Sequence, residues 1–219
     1  MDRLVLMDLD DTLINRREAL TAWVTDFSAD RRLPLKAVQT LAEALRERSR
    51  PETFAGLRAE LGMTESPDEL WDIYRVGMAA KAVCDSATLV RLDLLRAAGW
   101  SVGVLTNGPT DIQRAKLAAA GILSHVDAVC ISEEAGVRKP EPEVFRIAAS
   151  RCGFALTTDA WMVGDDPVTD IVGASAAGLR TVWVSAGSAW TNPDVAPDHV
   201  ALTTDDALDF LLGLPEGTR

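Results

Sequence analysis

Cysteine, positive charge and long apolar runs are all scarce in this sequence. The three cysteines, Cys84, Cys130 and Cys152, are odd in number and sit among apolar residues, so we expect reduced core side chains rather than disulfides or a metal cluster. Lysine and arginine number 22 against 33 acidic residues. The net charge of −11 argues against broad binding to nucleic acid or to anionic membranes. No apolar stretch approaches the roughly 20 residues that cross a bilayer, and the acidic start at Asp2 is unlike a signal peptide, so the expected location is cytoplasmic.

Five short apolar runs predict the strands of a buried sheet. They cover residues 3–7, 101–106, 127–131, 160–164 and 180–184. They are almost continuously apolar, as in strands that are covered on both faces. Segments with helical character separate the later runs, and each opens with proline: 109–120, 140–152 and 167–177. Strand and helix in alternation predict an α/β fold on a parallel sheet, followed by a loop from residue 185 and a last helix at 205–212.

The region between the first two strands has a different pattern. Residues 15–84 contain no convincing strand, and their apolar residues recur at helical spacing. Ser66 and Glu69 form the pattern of a capping box, with Pro67 at the first helical position. We therefore predict about four helices, inserted as a separate domain over 15–85, and a main domain made of 1–14 and 86–219.

Distinctive polar residues follow the predicted strands. Asp8 and Asp10 come directly after the first strand, and positions two apart in a strand point to the same side. Thr106 and Asn107 end the second strand. The fourth strand is followed by Asp165, with Asp170 one helical turn further on, and Lys139 precedes the helix at 140–152. In open parallel sheets the carboxyl ends of the strands form the edge where ligands bind.

A cluster of Asp8, Asp10 and Asp165 must take up protons or a cation to be stable. Oxygen ligands without histidine or cysteine favour Mg²⁺, which shares its shell with water and substrate phosphate. Beside such an ion, Asp8 is a candidate nucleophile and Asp10 a candidate proton donor and acceptor. Lys139 is suited to hold a transferring phosphoryl group. The Thr106 hydroxyl and the Asn107 backbone N–H complete this set, which fits phosphoryl transfer.

Four ordered motifs resemble those of the haloacid dehalogenase superfamily. They are "DLDDTL" (8–13), "LTNG" (105–108), "KPEPEVF" (139–145) and "VGDDPVTDIVGASAAG" (163–178). The resemblance implies a Rossmannoid sheet of order 5-4-1-2-3, in which the first and fourth strands are neighbours. It also implies that the insertion at 15–85 is the family's helical C1 cap, which closes over the active site. The expected branch is that of the phosphatases.

The resemblance also implies roles for individual residues. Mg²⁺ is expected on the Asp8 side chain, the Asp10 backbone carbonyl and Asp165, with Asp170 supporting that shell or binding through water. The phosphate-binding residues are then Thr12, Asn107 and Gly108. The expected reaction is hydrolysis of a small phosphorylated metabolite through an aspartyl-phosphate, by a monomer or homodimer without nucleic acid or membrane as partner.

Other functions remain open at this point, some of them on the same fold. A haloacid dehalogenase uses a nucleophilic aspartate without metal, and Asp10 argues against that reaction. The sugar-phosphate mutases usually carry a histidine after the first motif, and "INRREALTAW" has none. A receiver-like signalling domain would hold its phosphoacceptor after the third strand, where Glu133 and Glu134 stand. A catalytically silent phosphate-binding module is the last alternative.

Several residues near the motifs have simpler interpretations. We expect Asp166 to cap a helix and Asp11 to form a turn. Gly108 and Gly164 are expected to serve backbone geometry. In the insertion, Trp23 is expected in the core, and Arg16 and Arg17 in solvent.

Overall fold

Six parallel strands form one sheet in the computed structural model of the protein, which describes residues 3–46, 49, 51–156, 160–192 and 194–215. The strands are β1 (Arg3–Met7), β2 (Trp100–Thr106), β3 (Ala128–Ile131), β4 (Ala160–Gly164), β5 (Arg180–Val184) and β6 (His199–Ala201). Their order is β3-β2-β1-β4-β5-β6, which confirms the predicted order and adds a strand at one edge. β6 was not predicted because three residues are too few to show a pattern.

Helices cover the sheet and fill the insertion. Those of the insertion are α1 (Arg16–Asp30), α2 (Leu35–Leu45), α3 (Pro51–Glu60) and α4 (Pro67–Ala80). The others are α5 (Ser86–Ala97), α6 (Thr110–Ala119), α7 (Ser132–Ala135), α8 (Pro142–Arg151), α9 (Gly173–Ala176) and α10 (Thr204–Leu212). The four inserted helices and the α/β fold are confirmed. None of the helices in the described ranges is long and apolar enough to cross a membrane.

Two of the three predicted helix starts differ from the structure, and the third helix begins at Pro167 as predicted but in another helix type. Pro109 is the N-cap of α6 rather than its first residue, and α8 begins at Pro142, two residues after Pro140. The third segment starts as a π-helix over Pro167–Val172 and continues as α9. Asp166 caps it as expected, since its carboxylate accepts the backbone N–H groups of residues 168 and 169. The capping box at Ser66 is also confirmed.

The insertion has a hydrophobic core of its own. Trp23, Phe54 and Tyr74 are buried with the other apolar residues of α1–α4, as expected for Trp23. The buried side chains of α5 instead join the cluster under the sheet. Ile112 of α6 packs into the core of the insertion and so connects the two regions. The division at residues 15 and 85 remains a prediction that this separation supports.

The chain leaves the sheet region before α1 and returns to it before α5, and a side chain caps the helix at each crossing. Asn15 caps α1 by accepting the N–H of Glu18, and Asp85 caps α5. Near the first crossing the Thr204 hydroxyl donates to the Thr12 carbonyl at 2.6 Å. The amino-terminal end of α10 therefore holds the segment that leads into the insertion.

Candidate active site

Asp8 lies at the carboxyl edge of the sheet, directly after its central strand. The backbone N–H of Asp8 donates to the Val163 carbonyl of β4 at 2.9 Å, so the register of β1 and β4 fixes its position. The Lys139 ammonium donates to carboxylates of Asp8 and Asp170, at 2.5 and 2.6 Å. All three side chains are buried, with residue exposures of 6%, 2% and 1% for Asp8, Lys139 and Asp170. A single cation is thus held between two carboxylates that are far apart in sequence.

Asp8, Asp165 and Asp170 form a cluster that could hold a metal ion. One carboxylate oxygen of each lies within 4.8 Å of those of the other two. With Lys139 counted, two negative charges remain uncompensated when all four groups are ionised. An all-oxygen, doubly negative set suits a hard divalent cation such as Mg²⁺. The chemistry of the cluster therefore fits the ion expected from the sequence.

The burial of this cluster changes its ionisation. Burial raises the pKa of Asp8 well above its usual range, although the Lys139 charge acts against it. Burial also raises the pKa of Asp170, and together with the nearby Asp170 charge it raises the pKa of Asp165 to about 7. Burial lowers the pKa of Lys139, but its carboxylate partners more than offset this and the net shift is upward. Lys139 is therefore a permanent cation.

Gly164 makes room for the Asp170 carboxylate. A Cβ atom at position 164 would overlap the carboxyl group of Asp170. The second oxygen of that carboxylate accepts the Asp166 backbone N–H at 3.1 Å. Gly164 thus provides space for a side chain rather than an unusual backbone angle. Asp11 adopts φ of 63°, which agrees with its expected place in a turn.

The Asp10 side chain points toward α6, a helix from which no site residue was predicted. The Lys116 ammonium of α6 contacts both carboxylate oxygens of Asp10, at 2.7 and 2.8 Å. The Gln113 amide donates to Asp10 at 3.2 Å and to the Thr106 hydroxyl oxygen at 2.6 Å. Gln113 and Lys116 are buried although they are polar. Their spacing of three on a helix places them on one face, and this was the signal available in the sequence.

The Asn107 side chain of the second motif forms two hydrogen bonds with the backbone of the third motif. The Asn107 side chain donates to the Lys139 carbonyl and accepts the Lys139 N–H, both at 3.0 Å. The Gly108 N–H donates to the Ser132 hydroxyl at 3.0 Å. The Asn107 contacts fix the backbone of Lys139 relative to the end of β2 and do not use the Thr106 hydroxyl hydrogen. Roles of Asn107 and Gly108 in phosphate binding remain predictions.

Thr12 is separated from the other predicted site residues. It lines a cavity behind the entry to the insertion, between α1, residues 81–85 and the start of α10. Its hydroxyl is buried and has no hydrogen-bond partner among the described residues. Asp8, Asp10, Thr106, Lys139, Asp165 and Asp170 instead line one cleft together with Asn107.

That cleft, of about 980 Å³, lies between the sheet edge and the insertion. Its far wall carries Leu20 and Val24 of α1 and the two arginines of the first turn. Arg17 is exposed and pairs with Asp11 at 3.3 Å and, more distantly, with Asp165 at 3.8 Å. Arg16, which we expected in solvent, is half-buried: it donates to the carbonyls of Leu45 and Arg46 at the end of α2. Unsatisfied carbonyls at a helix end explain this correction.

A second cavity, of about 750 Å³, adjoins the cleft on the other side of Asp10. The two share Asp10, Arg16 and Asn107 in their walls. Lys116 and Gln113 border the second cavity only. Asp10 therefore lies in the wall that the acidic cleft and this neighbouring chamber share.

Comparison with known families agrees with this arrangement. A sequence model of the haloacid dehalogenase-like hydrolases matches residues 3–178. The chain therefore belongs to the haloacid dehalogenase-like hydrolase family, and its insertion fits the family's C1 cap.

Individual relatives show how far the similarity extends. Glyceraldehyde 3-phosphate phosphatase of Methanopyrus kandleri is 31% identical, over 98% of this chain and 94% of that protein. Phosphoserine phosphatase of Thermus thermophilus is 45% identical, but over 47% of this chain, which covers 41% of that protein. The structure of the hydrolase YfnB from Bacillus subtilis, determined with bound magnesium, superposes with a TM-score of 0.77 at 23% identity, over 97% of this chain and 99% of that one. This last likeness shows the shared fold.

Proposed function

We propose that this protein is a Mg²⁺-dependent phosphatase that hydrolyses a small phosphomonoester through a phosphorylated Asp8. The observation that carries the proposal is the buried contact of Asp8 with Lys139 at the floor of a cleft that the cap covers. Relatives named as phosphatases, one of them matched over nearly its whole length, support the reaction class.

The residues divide the chemistry between them. A carboxylate oxygen of Asp8 attacks phosphorus, and the bond from phosphorus to the leaving oxygen breaks. Asp10 gives that oxygen a proton and later takes one from the water that attacks the phosphoenzyme. Breaking the bond between Asp8 and phosphorus then releases inorganic phosphate. Lys139 and the Thr106 hydroxyl stabilise the charge on the transferring group.

Asp8 and Asp165, with the Asp10 backbone carbonyl, are the proposed ligands of Mg²⁺. When bound, the ion supplies positive charge that neutralises the phosphate and orients it. Both oxygens of Asp170 already accept hydrogen bonds, one from Lys139 and one from the Asp166 N–H. We therefore assign Asp170 to the support of the cluster rather than to direct binding.

The proposed substrate is a small phosphorylated metabolite. A cleft of about 980 Å³ with a cap over it suits a molecule of this size. The wall formed by α1 and α2 contributes both arginine and apolar side chains, so it can contact charged and uncharged parts of a substrate.

A dehalogenase reaction is the second candidate on this fold, and the cluster disfavours it. Metal-free chemistry gives no use to a cluster of three carboxylates, two of which share the Lys139 ammonium. Asp10, with its own lysine, provides the proton transfer that hydrolysis of an alkyl phosphate requires.

The test is phosphate release from an aryl phosphate and a panel of metabolite phosphates, with Mg²⁺ or with EDTA. We expect turnover with Mg²⁺ and a loss of more than about 1,000-fold in Asp8→Asn, because nucleophile and ligand disappear together. A matched Asp198→Asn variant, which alters a carboxylate bonded to Thr181 outside the cleft, should keep its activity. Turnover that survives Asp8→Asn would reject the mechanism.

A further inference from the structure

Lys116 is a buried lysine that the proposed reaction does not use. Its side chain is 4% exposed, and within the described residues its ammonium contacts no carboxylate other than that of Asp10. Burying an ammonium is costly unless it is paired. A hydrophobic pair of similar volume often stabilises a fold equally well, so stability alone gives little reason for this ion pair.

The position of the pair relates it to the chemistry. Asp10 borders both the acidic cleft and the neighbouring chamber, whereas Asp8 borders only the cleft. The other residues that border both cavities, Arg16 and Asn107, carry no carboxylate. The Lys116 ammonium donates to both carboxylate oxygens of Asp10 from the chamber side and so limits rotation of the Asp10 side chain.

Gln113 extends the same support to a second site residue. Its amide nitrogen donates one N–H to Asp10 and the other to the Thr106 hydroxyl oxygen. Because Thr106 accepts this bond, its own hydroxyl hydrogen stays available for a phosphate oxygen. Gly108 allows this approach, since a Cβ there would lie 3.0 Å from the Gln113 Cγ. One face of α6 therefore holds both Asp10, which follows β1, and Thr106, which ends β2.

We propose that Lys116, assisted by Gln113, is a positioning residue that sets the orientation of Asp10 for proton transfer in the wall that the two cavities share. The inference rests on the proposed function, since it requires Asp10 to act on the leaving group or on water. The Lys116 ammonium is already bound to both carboxylate oxygens of Asp10, which leaves it little role in binding substrate. It should therefore affect kcat rather than KM.

A double-mutant cycle on the full-length protein tests this role. Release of phosphate from an alkyl phosphate is measured for the parent, Lys116→Met, Asp10→Asn and the double variant. We expect Asp10→Asn to lower kcat by about 100-fold or more and Lys116→Met by at least about tenfold. In the Asp10→Asn background, Lys116→Met should change kcat by less than about twofold, because its only route to the reaction has been removed.

Controls separate this result from a loss of folding or of the proposed function. Melting temperatures are recorded for every variant, and Lys36→Met, at an exposed position on α2, should match the parent. Lys116→Arg should keep most of the parent activity, because the arginine can still pair with Asp10. If Lys116→Met does not fold, Lys116→Gln replaces it in the cycle with the same non-additivity expected.

Two results would overturn the inference. One is an equal loss of kcat from Lys116→Met in both backgrounds, which a general structural role predicts. The other is an unchanged kcat in a folded Lys116→Met protein. A parent enzyme whose activity survives Asp8→Asn would instead reject the proposed function, so the two failures are distinguishable.

Discussion

The edge of the sheet and the wall of the cap face the same cleft but are built differently. At the edge, Lys139 is 2% exposed and lies between two carboxylates that are themselves buried. On the cap, the Arg17 side chain is 76% exposed and its ion pairs are long. Buried charges with short contacts are fixed before substrate arrives, whereas exposed side chains can rearrange around it. We therefore expect changes at the edge to remove activity and changes on the cap to alter substrate preference.

Lys139→Met should have the largest effect. It leaves Asp8 and Asp170 buried without their cation, which costs about 3–5 kcal/mol for a broken buried pair. Activity should be lost as well, because the phosphoryl group loses its cation. The free energy of unfolding in urea with EDTA present, together with phosphate release, checks both parts.

Lys81→Met is the matched control for this variant. Lys81 pairs with Asp26 on the cap, and both side chains are substantially exposed. We expect less than about 1 kcal/mol from its loss. Equal destabilisation by the two lysine variants would remove the distinction between edge and cap.

Gly164→Ala should have an intermediate effect. The added methyl overlaps the Asp170 carboxylate and displaces it, which costs about 1–3 kcal/mol and should lower kcat. Gly77→Ala is its counterpart in the cap, where a Cβ overlaps the Trp23 ring.

The two glycine variants disturb different regions, Gly164→Ala the edge of the sheet and Gly77→Ala the cap. Both variants should lower the melting temperature to a similar extent. The alanine at 164 should reduce kcat by the larger factor, since Asp170 contacts Lys139. A larger kcat loss at position 77 would mean that the cap, rather than the edge, limits the chemistry.

Arg17→Ala should have the smallest effect on stability, within about 1 kcal/mol, because the side chain is exposed. Its consequence is expected in KM and in the ranking of a substrate panel rather than in kcat for a good substrate. Lys36→Ala, which is exposed on α2 and does not line the cleft, serves as the control. An unchanged ranking across the panel would remove Arg17 from substrate recognition.

The edge was predictable from sequence because its residues follow strands directly. Asp8, Thr106 and Asp165 take their positions from strand ends, and a parallel sheet brings such ends together. The four motifs added the strand order, which local patterns alone do not determine. For the same reason the fold and the acidic cleft agree closely with the expectations.

Other features depend on tertiary contacts and left weaker signals. Lys116 and Gln113 reach the site from the side of a helix, and only their burial distinguishes them from solvated residues. Arg16 is held by carbonyl groups of another helix, which no local spacing reveals. Thr12 was grouped with the phosphate-binding residues by motif, yet the chain turns before it and places it behind the cleft.

The bond between Arg16 and the end of α2 has a mechanical consequence. Arg16 is the first residue of α1, immediately after the Asn15 cap where the chain leaves the sheet region. A rotation of α1 about that point would carry the carboxyl end of α2 with it as long as these hydrogen bonds hold. Because both helices line the cleft, the cleft can widen only if α1 and α2 move together or if these two hydrogen bonds break.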